Sequence, residues 1–433
     1  MAAADLGATS IRVSVVDLDR RPAEVEVVHR FAHQPRHHGD GSLRWEWDRL
    51  MVELEAGLDR AVAAGPLASI GIDAWGVDYG LVDRAGRLLS APYSYRDTRT
   101  QGWEATADAL GREHLYRRTG IQLMPINTVF QLAAHPRSEL DSAHRLVMLA
   151  DLAVHRLTGE LHCEHTAAAT SGLLEAGRPR WAADLLEALE LRSDLFLAPE
   201  RPGTPAGRWR GVPVHLVGGH DTASAVACVP AGAGTGFVAS GSWMLVGVRL
   251  GAPDLSPAAY RANFSNEVAV DGGVRLLRNV PGLWLLEECR RAWGDPPLDD
   301  LLAGAAGAAA PGRFDPRLFM GAAPPDMEAA VREAAGLGGA ERYVVTRCIL
   351  ESVAAGVGAV VADLAGLGHH LSELVLVGGG ARMELLRRLV AEAAGLPVRV
   401  GAAEATCLGN AAVQGVALGR YRDLAEAAQE QGP

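Results

Sequence analysis

The chain has 433 residues, enough for two or three domains and for a core that needs no disulfide or structural metal. Its net charge is −11 with no compensating basic run, which argues against nucleic acid as a partner. All 41 basic residues are arginine, so a Schiff-base nucleophile, a pyridoxal-phosphate anchor and a P-loop lysine are excluded.

From the N-terminus, the turn Gly7-Ala8-Thr9-Ser10 precedes an alternating strand, Ile11 to Val15, and Glu24 to Phe31 and Leu43 to Trp47 alternate in the same way. Asp48 to Ala64 has helical spacing, with Leu50, Leu54, Leu58 and Val62 on one face. Ile70 to Asp73 and Val77 to Val82 read as a second hairpin, turning at Asp83 to Gly86. Gln101 to Leu157 is mostly helical, Pro199 to Pro213 reads as loop, and His215 to Gly218 as a strand. The Gly-rich run Pro230 to Gly236 is the candidate domain boundary, dividing the chain into 1–230 and 231–433.

After it the pattern restarts. Phe237 to Ala239 and Trp243 to Val248 form a hairpin around Ser240-Gly241-Ser242, resembling the opening one. Helices follow at Leu283 to Trp293 and Arg342 to Leu364. The strand Leu374 to Val377 then runs into Gly378-Gly379-Gly380 and a helix over Met383 to Ala394. Two halves that open alike point to duplicated α/β domains with a cleft between them.

The five cysteines lack metal or redox spacing, and Met1 to Asp19 carries Asp5 and Arg12 in its apolar stretch, unlike a signal peptide. The longest helical apolar run, Ser352 to Ala362, is bounded by charges and short for a bilayer span. These features lead us to expect a cytoplasmic protein with no membrane partner.

Three stretches carry chemistry. Asp5 at a strand end, followed by small hydroxylated residues, can bring backbone amides and hydroxyls to a phosphate, with its carboxylate holding Mg²⁺ through water, or the stretch is an ordinary hairpin. Gly218-Gly219-His220-Asp221-Thr222 places an aspartate where it can take a hydroxyl proton, or alternatively cap a helix. Gly378-Gly379-Gly380 lets the chain lie flush against a flat ligand, or is an ordinary turn. His162-Cys163-Glu164-His165 reads as a surface run rather than a metal site, and no Gly-x-Ser-x-Gly elbow supports a hydrolase.

Taken together, the chain resembles the FGGY carbohydrate kinases. The resemblance rests on Asp5-Leu6-Gly7-Ala8-Thr9-Ser10, Ile70 to Tyr79, Tyr95 to Thr100, Ile126-Asn127-Thr128, His220 to Ala225, and Ser240 to Trp243. Asn279, Gly282 to Leu286, Gly378 to Gly380 and Glu404 to Asn410 continue the series in order. It implies an α/β fold of two ribonuclease-H-like (actin-like ATPase) domains flanking a catalytic cleft. The sugar site and catalytic base would belong to the first domain and the nucleotide site to the second.

The resemblance further implies Asp221 as general base toward the primary hydroxyl of a ketose, with Gly76, His220, Asp221, Thr222 and Asn279 at the sugar. Asp78 and Tyr79, beside Gly76, are expected as further sugar contacts. ATP would lie against Ala8, Thr9, Ser10, Ile11, Arg12, Ser242, Glu287 and Gly378, Gly379 and Gly380, with Asp5 toward Mg²⁺. Ile11 stands where relatives usually carry Gly, Glu287 where they carry Gln, and Gly219 where they carry Ser. One alternative is a kinase for another ketose or polyol, such as fuculose or xylulose; a second is a catalytically silent sugar-binding sensor on the same fold, against which Asp5 and Asp221 together favour the enzyme.

Overall fold

A computed structural model of the chain describes residues 1–229, 234–310, 312–321, 324–402 and 404–431. Most of the expected boundary run, residues 230–233, lies outside these. The chain forms two compact units. The first comprises Met1–Pro230, Arg249–Leu276 and Glu404–Pro433, and the second Ala231–Val248 and Leu277–Ala403.

The first unit is built on a six-stranded mixed sheet. Ala2–Leu6 pairs antiparallel with Ser10–Asp17 on one side and parallel with Ile70–Ala74 on the other. Val212–His220 extends the sheet parallel to Ile70–Ala74, and Glu24–Ala32 and Pro205–Trp209 form the edges. Side chains alternate across a strand, and here both faces are covered. Ala2, Ala4 and Leu6 share a core with Trp45, Leu50, Leu54 and Leu58, the last three on the helix Trp47–Ala64. Ala3 points the other way, to Cys407, Ala411 and Ala412 on the helix Ala405–Ala417. That second face explains why the C-terminal segment belongs with the N-terminal strands.

Ile70–Ala74 and Tyr79–Val82 do not form the expected hairpin. Tyr79–Val82 instead pairs with Arg145–Met148 in a separate two-stranded sheet over a second core that includes Leu115 and Phe130. Pro205–Trp209 is a strand inside the stretch expected as loop.

In the second unit, Thr235–Ser240 pairs antiparallel with Trp243–Leu250 and parallel with Glu373–Val377, which pairs parallel with Val398–Val400. The helix Arg342–Gly366 has 25 residues and is, among the described residues, the one long and apolar enough to cross a membrane. The apolar run therefore extends beyond the expected Ser352 to Ala362, and 61% of its most apolar window is buried in the protein.

Candidate active site

Ligands of α/β sheets gather at the carboxyl ends of parallel strands. In the first unit Asp5, Asp73 and His220 stand at the ends of three neighbouring parallel strands. Asp5 and Asp73 are paired in register and wholly buried. Burial pushes the Asp5 carboxyl up to about 6, against the Arg12 guanidinium, and the charges of Asp221 and Glu404 add to the rise. Asp73 is raised as well, first by burial and then by Asp5. Arg12 contacts Asp5 Oδ2 at 2.7 Å and Glu404 Oε2 at 3.0 Å, while Asn410 Nδ2 donates to Asp73 Oδ2 at 2.6 Å.

The Gly7 to Ser10 turn is closed by a bond from Gly7 N to Ser10 O at 3.1 Å. Ala8, Thr9 and Ser10 are half-buried on it, whereas the Ile11 side chain is wholly in the core, so only its backbone can face a ligand. His33 braces the turn through Nε2 to Gly7 O at 2.9 Å, and its ring lies 5.7 Å from that of Trp75. Burial lowers the His33 pKa to about 4, so the ring is neutral and Nε2 is the donor.

Asp221 opens the helix Asp221–Ala227; the N-cap is His220 and makes no side-chain capping bond. Capping therefore does not account for the aspartate. Its side chain is 29% exposed, within reach of a ligand, while His220 and Thr222 are buried. Thr222 Oγ1 donates to Asp221 Oδ1 at 2.9 Å, and His220 Nε2 stands 3.4 Å from the same oxygen. The strand end behind them is anchored by Glu164, whose Oε2 accepts from Gly219 N at 2.9 Å, and by Thr166 Oγ1, which accepts from His220 N at 3.2 Å. A Cβ at Gly219 would lie 2.6 Å from Glu164 Oε2, so any side chain there would displace the carboxylate from its present place.

Gly76 is half-buried, in a loop whose next residue, Val77, has φ 68°, a conformation that a β-branched side chain rarely adopts. Such strain persists where the surroundings over-determine it. Val77 N donates to Thr170 Oγ1 at 3.0 Å, and Val77 O accepts from Thr128 Oγ1 at 2.6 Å. Asp78 and Tyr79, expected at the sugar, have their polar atoms engaged by the protein. Asp78 Oδ2 accepts from Trp45 Nε1 at 2.7 Å, Trp75 Nε1 at 2.9 Å and Tyr95 N at 3.1 Å, and Oδ1 accepts from Gln131 Nε2 at 3.1 Å. The Tyr79 hydroxyl bonds His135 Nδ1 at 2.9 Å.

In the second unit the turn Ser240-Gly241-Ser242 and the triple glycine come together. A Cβ at Gly378, whose φ is 85°, would meet Ser240 O at 2.6 Å, and one at Gly380 would collide with Ser240 Oγ. Gly379 is exposed with open space around it. Ser242 O accepts from Gly282 N at 3.1 Å, and Glu287 is paired with Arg290 at 3.0 Å. Asn279 is half-buried on the strand Val274–Pro281. His162 to His165 is not a surface run: Glu164 is buried at the strand-end anchor, and the described residues contain no cluster of three or more metal-type side chains.

The FGGY family of carbohydrate kinases matches over nearly the whole chain, its N-terminal domain at residues 1–228 and its C-terminal domain at 236–418. The rhamnulokinase of Pectobacterium carotovorum subsp. carotovorum (strain PC1) is 38% identical, covering 98% of this chain and 89% of its own. That of Bacteroides thetaiotaomicron is 36% identical, covering 98% and 92%. Among solved structures, a ligand-bound xylulose kinase from Lactobacillus acidophilus superposes with a TM-score of 0.81 at 17% identity, covering 99% of this chain and 91% of that one. Plasmodium falciparum glycerol kinase with ADP gives 0.77 at 14% identity, covering 99% and 92%. The two-domain α/β architecture is thus that of the solved sugar and glycerol kinases, with a small-molecule sugar and ATP as the ligands the family implies. The chain belongs to the FGGY family of carbohydrate kinases.

Proposed function

We propose that the protein transfers the γ-phosphoryl group of ATP to the primary hydroxyl of L-rhamnulose, yielding L-rhamnulose 1-phosphate in L-rhamnose catabolism, with Asp221 as general base. The observation that carries the reading is the half-exposed Asp221 carboxylate, held on one oxygen by Thr222, in a chain 36–38% identical to rhamnulokinases over almost its full length. Asp221 Oδ2 takes the hydroxyl proton as the sugar oxygen bonds to phosphorus and the bond to ADP breaks. Gly76, His220, Thr222 and Asn279 bind the sugar. Asp78 acts from the interior, holding Trp75 and Tyr95 so that the strained Gly76–Val77 turn keeps its shape.

Ala8 to Arg12, Ser242, Glu287 and Gly378 to Gly380 are assigned to ATP, with backbone amides and hydroxyls in place of a phosphate-binding lysine. The donor set fits Mg²⁺ that keeps its waters and is held largely by phosphates: Asp73 Oδ1 is buried without a hydrogen-bond partner beside Asp5, and no full protein cage exists among the described residues. When bound, the ion would offset charge on the transferring group, with Asp5 holding one of its waters.

The test is ADP release with MgATP across ketoses, aldoses and polyols. Stimulation confined to L-rhamnulose is expected. Stimulation by fuculose or xylulose instead would keep the kinase and refute the substrate, and no stimulation by any sugar would favour the silent binding protein.

A further inference from the structure

The turn assigned to the phosphates is held open by a side chain from the neighbouring strand. Gly7 and Ser10 stand opposite each other, where an antiparallel pair ordinarily exchanges two backbone bonds. Among the described residues only one is made: Gly7 N donates to Ser10 O at 3.1 Å, and Gly7 O receives nothing from Ser10 N. Gly7 O accepts instead from His33 Nε2 at 2.9 Å, and Thr9 O accepts from His33 N at 3.0 Å. One residue, just beyond the strand Glu24–Ala32, thus holds two of the turn's carbonyls.

Peptide geometry turns those two bonds into a donor site. In a trans peptide the carbonyl and the following N–H point in opposite directions, so fixing Gly7 O and Thr9 O on His33 directs the Ala8 and Ser10 amides away from it. Ala8 N has no acceptor among the described residues. Ser10 N shares a strand edge with its own carbonyl, so it faces Gly7 rather than Ala32 in the other ladder. Two bare amides on one half-buried turn make a concave donor pair of the kind that receives a phosphate oxygen. Asp5 Oδ1 lies 3.7 Å from where a Gly7 Cβ would stand, so the carboxylate assigned to Mg²⁺ is adjacent.

Packing does not explain a histidine here. A carbonyl only accepts, so Nε2 carries the ring proton, and Nδ1 is buried without a partner. The ring packs 5.5 Å from that of Trp45 and 5.7 Å from that of Trp75, and both indoles are tied through Nε1 to Asp78 Oδ2. An apolar side chain would fill the same space without leaving a ring nitrogen unsatisfied. The hairpin would then close by itself, through Ser10 N to Gly7 O.

We infer that His33 is a positioning residue for the nucleotide: by occupying Gly7 O it withholds the acceptor that would capture the Ser10 amide, and it keeps the Ala8 and Ser10 N–H groups open to a phosphate oxygen. This role rests on the phosphates of ATP lying against the turn.

The test is calorimetric titration of the full-length protein with ADP, ATP and adenosine. His33→Phe keeps an aromatic ring beside Trp45 and Trp75 but has no donor for Gly7 O. Its affinity for ADP and ATP should fall about tenfold, the loss of one charge-assisted bond, while adenosine, which has no phosphate, binds within about twofold of wild type. His33→Gln restores an N–H at similar reach and should keep ADP affinity within about threefold of wild type. Wild-type ADP affinity in His33→Phe overturns the inference, and so does an equal loss for ADP and adenosine, the mark of a merely structural role. Should His33→Phe fail to fold, His33→Leu is held to the same outcome. Amide hydrogen exchange over Asp5 to Val13 separates the two claims, and MgADP should slow it in wild type. Unchanged exchange refutes the nucleotide reading of this turn, whereas slowed exchange beside an unaffected His33→Phe refutes only the role of His33.

Discussion

Glu164 offers the sharpest link between a buried charge and the site. Its Oε1 accepts from Thr166 N at 2.9 Å, and its Oε2 accepts from Thr166 Oγ1 at 2.7 Å, Ala167 N at 2.9 Å and Gly219 N at 2.9 Å. In Glu164→Gln the amide oxygen keeps the crowded side, and the NH₂ then faces the Thr166 N–H, leaving an orphaned donor worth about 1–3 kcal/mol. The three remaining bonds go to a neutral acceptor, each falling to roughly half its strength. Relief of repulsion with Asp151, whose carboxyl is itself raised by burial and by Glu164, offsets part of this. The net expectation is a loss of about 2–4 kcal/mol in stability. Turnover should also fall, by about tenfold, because the bond that holds Gly219 N, one residue before His220, is weakened. Urea unfolding followed by tryptophan fluorescence reads the first quantity and ADP release the second. A loss under about 0.5 kcal/mol, the scale of an ordinary surface substitution, with unchanged turnover would refute the anchor.

Gly379→Ala separates folding from nucleotide binding: nothing lies within 4 Å of the added Cβ, so the unfolding midpoint should hold while the KM for ATP rises several-fold. An unchanged KM would remove Gly379 from the nucleotide site. His135 carries a pH signature. Burial, aided by Arg99, lowers its pKa to about 4 against the pull of Glu139, so the unfolded chain takes up the proton first as pH falls below about 6.5. Its contribution is complete above that pH and is lost toward pH 4, by at most roughly 3 kcal/mol. Wild type should thus lose more stability than His135→Gln between pH 7.5 and pH 5, and parallel slopes would contradict the reasoning.

The local pattern carried the helices and most strands. Leu50, Leu54 and Leu58 at a spacing of four do face one core, and the hairpins around Gly7 and Gly241 form as their alternation implies. Strand pairing was less legible. Ile70–Ala74 lies between Ala2–Leu6 and Val212–His220, partners far away in sequence, while the sharp turn at Val77 sends the following strand to another sheet. Asp5 and His220-Asp221 stood out as polar residues that abruptly end apolar strands. Asp73 shares that signal and its register with Asp5, and only the strand pairing brings it beside that carboxylate.

Glu164, Glu267 and Arg275 were hidden for a different reason. An ionisable side chain reads as solvent-facing by default, and only partners such as Gly219 and His220, distant in sequence, reveal these as buried. Asp78 and Tyr79 were expected at the sugar from their place beside Gly76, and the structure adds what their position in the chain does not show: Trp45, Trp75, Gln131 and His135 engage their polar atoms.

The central claim is that Asp221 removes the proton from the sugar hydroxyl. Asp221→Asn keeps the side chain's shape and its contact with Thr222 while removing the base, so ATP affinity measured by calorimetry should stay near wild type. Turnover with L-rhamnulose should fall by about 10²–10⁴-fold, the usual contribution of a general base. Wild-type turnover in that variant, with the sugar and nucleotide both bound, would contradict the account.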